Sequence, residues 1–140
     1  MNAFNTATAG DFIQRLFPRF ITELGLQLNH SDQGRVVLRL PFSPVTCRDG
    51  GIVSGQMLAA LADTSMVCAV WSAIGEHRPL ATVDLHVTYL RAVQNDDLLA
   101  TAEVIKIGRS MGFAKVVIAG AASPDKPAAS AVGTFAFAGN

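Results

Sequence analysis

The spacing of apolar residues predicts a helix and a strand in the first third of the chain. Residues 10–20 place Phe12, Leu16 and Phe20 on one helical face, and Pro18 should end or bend that helix. Residues 34–42 alternate apolar and polar positions, which predicts a half-buried strand. Residues 21–29 fit either a helix end or a strand. The glycines and proline within 43–53 indicate a loop.

The most apolar segment, which runs from Ser54 to Gly75, predicts a helix of about 18–20 residues. The Ser54 hydroxyl can cap its start and Gly75 can end it. Because this helix is apolar on nearly all sides, it must be wrapped on most sides. One carboxylate, Asp63, lies in its middle. An unpaired buried carboxylate is unfavourable, so Asp63 needs a function or a partner.

From Leu80 the period changes to two, and four strand-like runs follow at 80–92, 97–107, 112–122 and 128–138. Along the first run, simple alternation separates two faces, one with Val83, Leu85, Val87 and Tyr89, the other with Thr82, Asp84, His86 and Thr88. Strands that cluster after a helix predict an α+β fold with an antiparallel sheet. The economical arrangement is a curved sheet around one central helix, closed off by a second subunit.

Composition narrows the class of protein. The 140 residues suit a single domain, 1–140, with residues 1–30 packing on it as a helical or extended segment. Half of the residues are hydrophobic, which indicates that another subunit covers apolar surface. Eleven basic and eleven acidic residues cancel without forming runs, so neither nucleic-acid nor membrane-surface binding is expected.

The remaining exclusions concern metal, membrane and location. Cys47 and Cys68 lack zinc spacing, so we expect neither a disulfide framework nor a metal site. Asp63 argues against a membrane span in the apolar segment. The N-terminal residues show no signal-peptide pattern, so a cytoplasmic location is expected.

Four motifs in order resemble the hotdog-fold acyl-CoA thioesterases, in particular the phenylacetate-degradation, 4-hydroxybenzoyl-CoA thioesterase-like branch. They are GGIVSG at 50–55, Asp63 nine positions after Ser54, ATVDLHVTYLRA at 81–92 and GRS at 108–110. The likeness covers roughly residues 35–138. The chain has R-x-G-G-x-x-S-G where the family commonly has N-x-x-G-x-x-H-G-G, with Arg48, Ser54 and Gln56 at the substituted positions.

The resemblance implies hydrolysis of an acyl-CoA thioester. Asp63 matches the catalytic carboxylate, which acts as general base or as nucleophile. Gly55 matches the residue whose helix-start N–H stabilises the oxyanion. Thr82 matches a Ser or Thr that orients water. A structural carboxylate, an easier helix entry and an ordinary strand residue are the alternatives for these three positions.

The resemblance also implies residues that bind substrate: Arg48, Gly51, Ser54, Gln56, Arg91, Gly108 and Arg109. Arginine suits the phosphates of coenzyme A, although Arg48 can equally neutralise Asp49 or Asp63, and a solvated surface role is open for each arginine. Met57, Leu58 and Leu61 are candidates for the acyl pocket. No cofactor is expected beyond coenzyme A as part of the substrate.

Asp63 lies about 13 Å of helix rise beyond Ser54, so it should not serve the helix start of its own subunit. We therefore expect a homodimer or homotetramer with active sites between subunits. Two other functions remain open. One is a hotdog hydratase or dehydratase, which normally needs a His paired with an acid. The other is a non-catalytic acyl-CoA-binding or accessory protein.

Overall fold

The computed structural model describes residues 5 and 7–138, with the side chain of Ala9 excepted, so the ends of the predicted 1–140 domain lie outside the described residues. This part of the chain contains three α-helices, α1 at Ala9–Leu16, α2 at Arg19–Thr22 and α3 at Gly55–Ile74. Pro18 separates α1 from α2 with extended backbone, which confirms that it interrupts the first helix.

Within the described residues, eight strands accompany the helices: β1 (Gln27–Asp32), β2 (Arg35–Leu40), β3 (Cys47–Arg48), β4 (Ile52–Val53), β5 (Leu80–Tyr89), β6 (Leu98–Ile107), β7 (Met111–Gly120) and β8 (Pro127–Phe137). Six of them form one antiparallel sheet in the order β1-β2-β6-β7-β8-β5. The two-residue strands β3 and β4 form a small separate hairpin. The α+β architecture, a curved antiparallel sheet with one long central helix, is the hotdog fold that the sequence predicts.

The predicted element order lacks one strand of the main sheet. Residues 27–32 form β1, an edge strand that pairs with β2, where the sequence left residues 21–29 ambiguous. Its sequence, QLNHSD, buries no residue fully. An edge strand with little burial carries no apolar alternation, so the strand period is absent there. Strand β2 does show the expected pattern, with Val36, Leu38 and Leu40 buried.

Helix α3 lies against the sheet and supplies much of the core. Ser54 caps it, since the Met57 N–H donates to the Ser54 hydroxyl at 3.2 Å, and Gly75 ends it with φ of 77°. Twelve of its twenty residues are buried, among them Leu58, Leu61 and Met66. By length and composition α3 is apolar enough to cross a membrane, but 72% of its most apolar window is buried inside the fold, as in a core helix.

A β-bulge in β5 changes the predicted faces of that strand. Thr82 pairs with Phe135 and Asp84 with Thr134, so Val83 is an extra residue without a partner of its own. The bulge shifts the alternation by one position. Thr82 therefore shares the helix-facing side with Leu85, and the prediction that groups Thr82 with Asp84, His86 and Thr88 is wrong.

Candidate active site

Asp63 and Thr82 meet between α3 and β5. The Thr82 hydroxyl donates a hydrogen bond of 3.0 Å to Asp63 Oδ1. The bulge at Val83 makes this contact possible, because it turns Thr82 toward the helix. Two residues that are nineteen positions apart in the sequence, and that the sequence assigns to the same site, are thus brought together.

Asp63 has no cationic partner among the described residues, where the ion pairs are Arg15–Asp11, Arg19–Glu23 and Arg39–Asp97. Within one subunit Arg48 therefore forms no ion pair with Asp63 or Asp49. Burial raises the pKa of Asp63 above its ordinary value, and the hydrogen bond from Thr82 acts in the opposite direction. A half-buried carboxylate with a raised pKa and no counter-charge is suited to accept a proton.

A cavity of about 490 Å³ opens beside these two residues. Its inner wall is one face of α3 formed by Ala60, Asp63, Thr64, Val67 and Trp71. Its outer wall is the segment from Leu16 to Ile21, and Leu80 and Thr82 of β5 also border it. The cavity has the size of a small-molecule site, with the carboxylate as its one acidic group.

The start of α3 presents free donors. Neither the Gly55 nor the Gln56 N–H has an acceptor within the described part of the chain, which is the ordinary condition of the first helical turn. Tyr89 packs on Gly55 and donates from its hydroxyl to the Gly55 carbonyl at 3.2 Å. The helix start thus combines unpaired N–H groups with the positive end of the helix dipole, as an oxyanion site requires.

The loop before α3 is held by the connection between β5 and β6. The Val53 N–H donates to the Val93 carbonyl at 3.0 Å, and the Asn95 N–H donates to the Gly51 carbonyl at 2.9 Å. Gly51 has φ of 74°, and a Cβ on it would collide with the Asn95 side chain. The structure therefore gives Gly51 a conformational reason to be glycine, while its predicted role in substrate binding stays a prediction.

The three candidate arginines are exposed and lie apart. Arg48 is in the β3–β4 hairpin just before α3. The Arg91 N–H bonds to Ala128 at the start of β8, whereas Arg109 adjoins Ser110, whose carbonyl accepts from Phe137 at the end of β8. Nine residues of strand separate those two points by about 30 Å. Arg109 is in the turn that begins with Gly108. Within one subunit, Arg91 and Arg109 are therefore too far apart to contact the same phosphate.

The cavity walls differ from those that the sequence predicts. Leu58 and Leu61 are in the core, 5% and 0% exposed, and Met57 lines a smaller cavity of about 250 Å³ near the helix start. Neither Leu58 nor Leu61 lines either of these cavities. A helix that is apolar all round does not reveal in the sequence which of its faces meets the sheet. Trp71, which borders the larger cavity, carried no functional signal in the sequence.

The described residues contain no group of three or more His, Cys, Asp or Glu side chains placed to hold a metal ion. Cys68 is fully buried, and burial raises the pKa of its thiol. Cys47 is a free thiol that donates to the Ser43 carbonyl.

Comparison with known proteins defines the class of protein. The family model of the thioesterase superfamily matches residues 50–119, which is half of the chain. A protein of Halobacterium salinarum that carries an esterase name is 32% identical, with 98% of this chain and 96% of the relative covered. The chain belongs to the thioesterase superfamily and is, at that general level, an acyl thioester hydrolase.

Solved structures agree on the fold. A thioesterase-named protein from Silicibacter superposes with a TM-score of 0.86 at 22% identity, covering 99% of this chain and 95% of that one. Zebra fish thioesterase superfamily member 2 gives 0.82 at 24% identity, covering 96% and 99%. At these identities the likeness establishes the hotdog architecture alone.

Proposed function

We propose that the protein hydrolyses acyl-CoA thioesters with Asp63 as general base or nucleophile. The observation that supports this most is the Asp63 carboxylate itself, which is half-buried, without a cation, and held by Thr82 at the side of a mostly apolar cavity. A carboxylate kept unpaired beside a ligand-sized cavity is unfavourable for folding, so a chemical role explains its presence.

In the general-base form, Asp63 takes a proton from water while the water oxygen attacks the thioester carbonyl carbon. Collapse of the tetrahedral intermediate breaks the carbon–sulfur bond, and the coenzyme A thiolate takes up the proton. In the nucleophile form, Asp63 attacks the carbonyl carbon and expels the coenzyme A thiolate as the carbon–sulfur bond breaks, which leaves a mixed anhydride. Water then hydrolyses the anhydride, which frees the acid and the Asp63 carboxylate, and the thiolate takes up the released proton. The Thr82 proton is engaged with Asp63, so its oxygen is left to accept from the attacking water.

The oxyanion donor in this proposal comes from a second copy of the chain. Gly55 and Asp63 are on one helix with about 12 Å of rise between them, too far to act on one carbonyl. Strand β5 is an edge of the sheet. Val83 and Tyr89 on this strand, and Leu90 directly after it, are more than half exposed. Pairing of two β5 edges covers these residues and allows Asp63 of one subunit to face Gly55 of the other.

Coenzyme A would be held at exposed cationic side chains. Arg48, which lies just before the start of α3, would bind either the acyl carbonyl or the pantetheine arm of coenzyme A. Arg91 and Arg109 lie beside opposite ends of strand β8. If both contact the phosphates of one coenzyme A molecule, the two arginines would come from different subunits.

Thiol release from a panel of acyl-CoAs tests the activity. We expect hydrolysis by the wild type, a loss of about 10²-fold or more for Asp63→Asn, and no loss for Asp32→Asn, an exposed aspartate on the opposite edge strand. Full hydrolysis by a folded Asp63→Asn protein would remove Asp63 from the mechanism. Coenzyme A binding without hydrolysis by the wild type would favour an accessory binding role.

Mixing two inactive variants tests the shared site. Asp63→Asn and Gly55→Pro each damage one half of it. When the two variants are mixed in equal amounts and their subunits exchange, about half of the dimers contain one subunit of each variant. Each of these mixed dimers has one intact active site of its two, so about a quarter of wild-type activity should return. No recovery in a mixture whose subunit exchange has been verified would place both groups in one subunit.

A further inference from the structure

The large cavity extends from Asp63 along α3 toward the C-terminal end of that helix. Trp71 lies there, two turns further along the same face of α3, together with His77 and Pro79. The segment Leu16–Ile21 covers this end from outside, where the Phe17 ring stands 5.5 Å from the Trp71 ring. A group that enters beside Asp63 and Thr82 and extends along α3 therefore meets the indole.

Trp71 is fixed in that position. Its indole N–H donates to the Arg78 carbonyl at 2.9 Å, and the ring is only 4% exposed. His77 packs edge-on against it at 5.0 Å, and Phe12 lies at 6.3 Å. Because a hydrogen bond and three rings hold the indole, it does not swing aside as a flexible Met or Leu could.

The helix geometry sets the available length. Eight residues separate Asp63 from Trp71, which corresponds to about 12 Å of rise. Both side chains lean toward the N terminus of the helix, so the lean itself leaves their separation nearly unchanged. The bulk of the indole takes up part of that distance and leaves room for an acyl chain of about six to eight carbons. Ala60 and Val67 give this stretch an apolar floor.

We propose that Trp71 is the residue that limits acyl length, by forming the fixed end of the cavity that Asp63 opens. This inference rests on the proposed function, since it takes the cavity to hold the acyl group. The segment Leu16–Ile21 is its outer wall, and the substrates are acyl-CoAs of short to medium length. Longer chains meet the indole before their carbonyl reaches Asp63.

A chain-length series measures the effect. We compare kcat/KM from acetyl-CoA to hexadecanoyl-CoA for the wild type, Trp71→Phe, Trp71→Leu and the control Phe113→Leu, an aromatic residue of β7 that does not line this cavity. The ratio of dodecanoyl to hexanoyl kcat/KM should rise by about tenfold or more in Trp71→Leu, less in Trp71→Phe, and not in the control. An unchanged ratio in both folded Trp71 variants would overturn the proposal.

A binding readout separates this inference from the proposed hydrolysis. Trp71 is the one tryptophan of the chain, so its fluorescence reports the cavity end directly. In Asp63→Asn, octanoyl-CoA should change the emission, whereas acetyl-CoA and free coenzyme A should not. Equal emission with all three ligands, at concentrations shown by competition to saturate, would overturn the proposal even if hydrolysis is normal. If the emission change depends on chain length but the wild type hydrolyses none of the acyl-CoAs, this inference stands and the proposed function fails.

Discussion

Gly55 is the first helical residue of α3, and the proposed mechanism uses its backbone N–H rather than a side chain. Proline fits the first position of a helix and has no N–H. Ser54 has ψ of 151°, which is compatible with a following proline, and a Cβ at Gly55 would make ordinary contact with Tyr89 at 3.5 Å. The site therefore allows the donor to be removed without breaking the helix.

Gly55→Pro is expected to lower kcat by about 10²–10³-fold, the usual effect of losing one oxyanion donor. Gly55→Ala adds a similar Cβ but keeps the N–H, and should lose far less. Steady-state kinetics of both variants, with thermal unfolding to verify the fold, make the comparison. Equal losses in the two variants would show that the Cβ, not the N–H, is responsible.

Thr82 should control the pH dependence of hydrolysis through Asp63. In the proposed mechanism, activity requires ionised Asp63, so it should rise with pH on the acid side of the profile. The midpoint of that rise should be above 3.8, the ordinary pKa of an aspartate, because burial raises the pKa of Asp63. The hydrogen bond from Thr82 lowers that pKa, so Thr82→Val should move the limb to higher pH. Thr82→Ser keeps the hydroxyl and should leave the limb in place. If the acid limb of the pH profile does not move in Thr82→Val, then Thr82 does not influence the titration that controls activity.

At the scale of elements, the predictions that hold are those with a local signal. The α3 boundaries follow from Ser54, which caps the start of the helix, and from Gly75, which ends it. Both effects depend on the residue type and are therefore visible in the sequence. The β2 alternation and the helix break at Pro18 are equally local. The elements are predictable where one residue type or one period decides the conformation.

The unpredicted features depend on tertiary context. Strand β1 owes its conformation to pairing with β2 rather than to an apolar period. The bulge at Val83 has no composition cue, yet it decides that Thr82 faces Asp63. The resemblance assigned Asp63 and Thr82 to one site, and the structure brings the two side chains into contact. The residues that line the cavity could not be predicted without knowing which face of α3 meets the sheet.

The loop before α3 gives a prediction about an element rather than a single group. Gly51→Ala should destabilise the protein by about 1–3 kcal/mol, because φ of 74° is strained for alanine and its Cβ would collide with Asn95. Gly10→Ala is the matched control, since Gly10 is in α1 with no neighbour near a Cβ and alanine favours helix. Chemical denaturation should show opposite signs for the two. A neutral Gly51→Ala would mean that the loop relaxes freely.

At the scale of the whole molecule, the edge strand β5 predicts an assembly. Val83→Asp would place a carboxylate in the proposed interface, and burying such a charge without a partner is unfavourable. We expect light scattering to show dissociation, with activity lost in parallel. Ile105→Asp is the control, because Ile105 is also exposed at a bulge but lies on β6, away from this edge. A Val83→Asp protein that remains an active oligomer would contradict assembly through β5.

The Asp63 carboxylate, which has no ion-pair partner in its own subunit, also lowers the free energy of unfolding when it is ionised. Because the pKa of Asp63 is raised in the folded state, the folded protein binds more protons than the unfolded chain between pH 3.8 and that raised value. The free energy of unfolding therefore falls as pH rises through this window, and the loss persists at neutral pH.

Asparagine at position 63 keeps an oxygen for the Thr82 hydroxyl but cannot ionise. Asp63→Asn should consequently unfold at higher temperature than the wild type at pH 7, and the difference should shrink as the pH is lowered toward 3.8. An equal or lower melting temperature at pH 7 would contradict this. In the proposed mechanism the protein keeps this destabilising residue in its core helix because hydrolysis requires the ionised carboxylate.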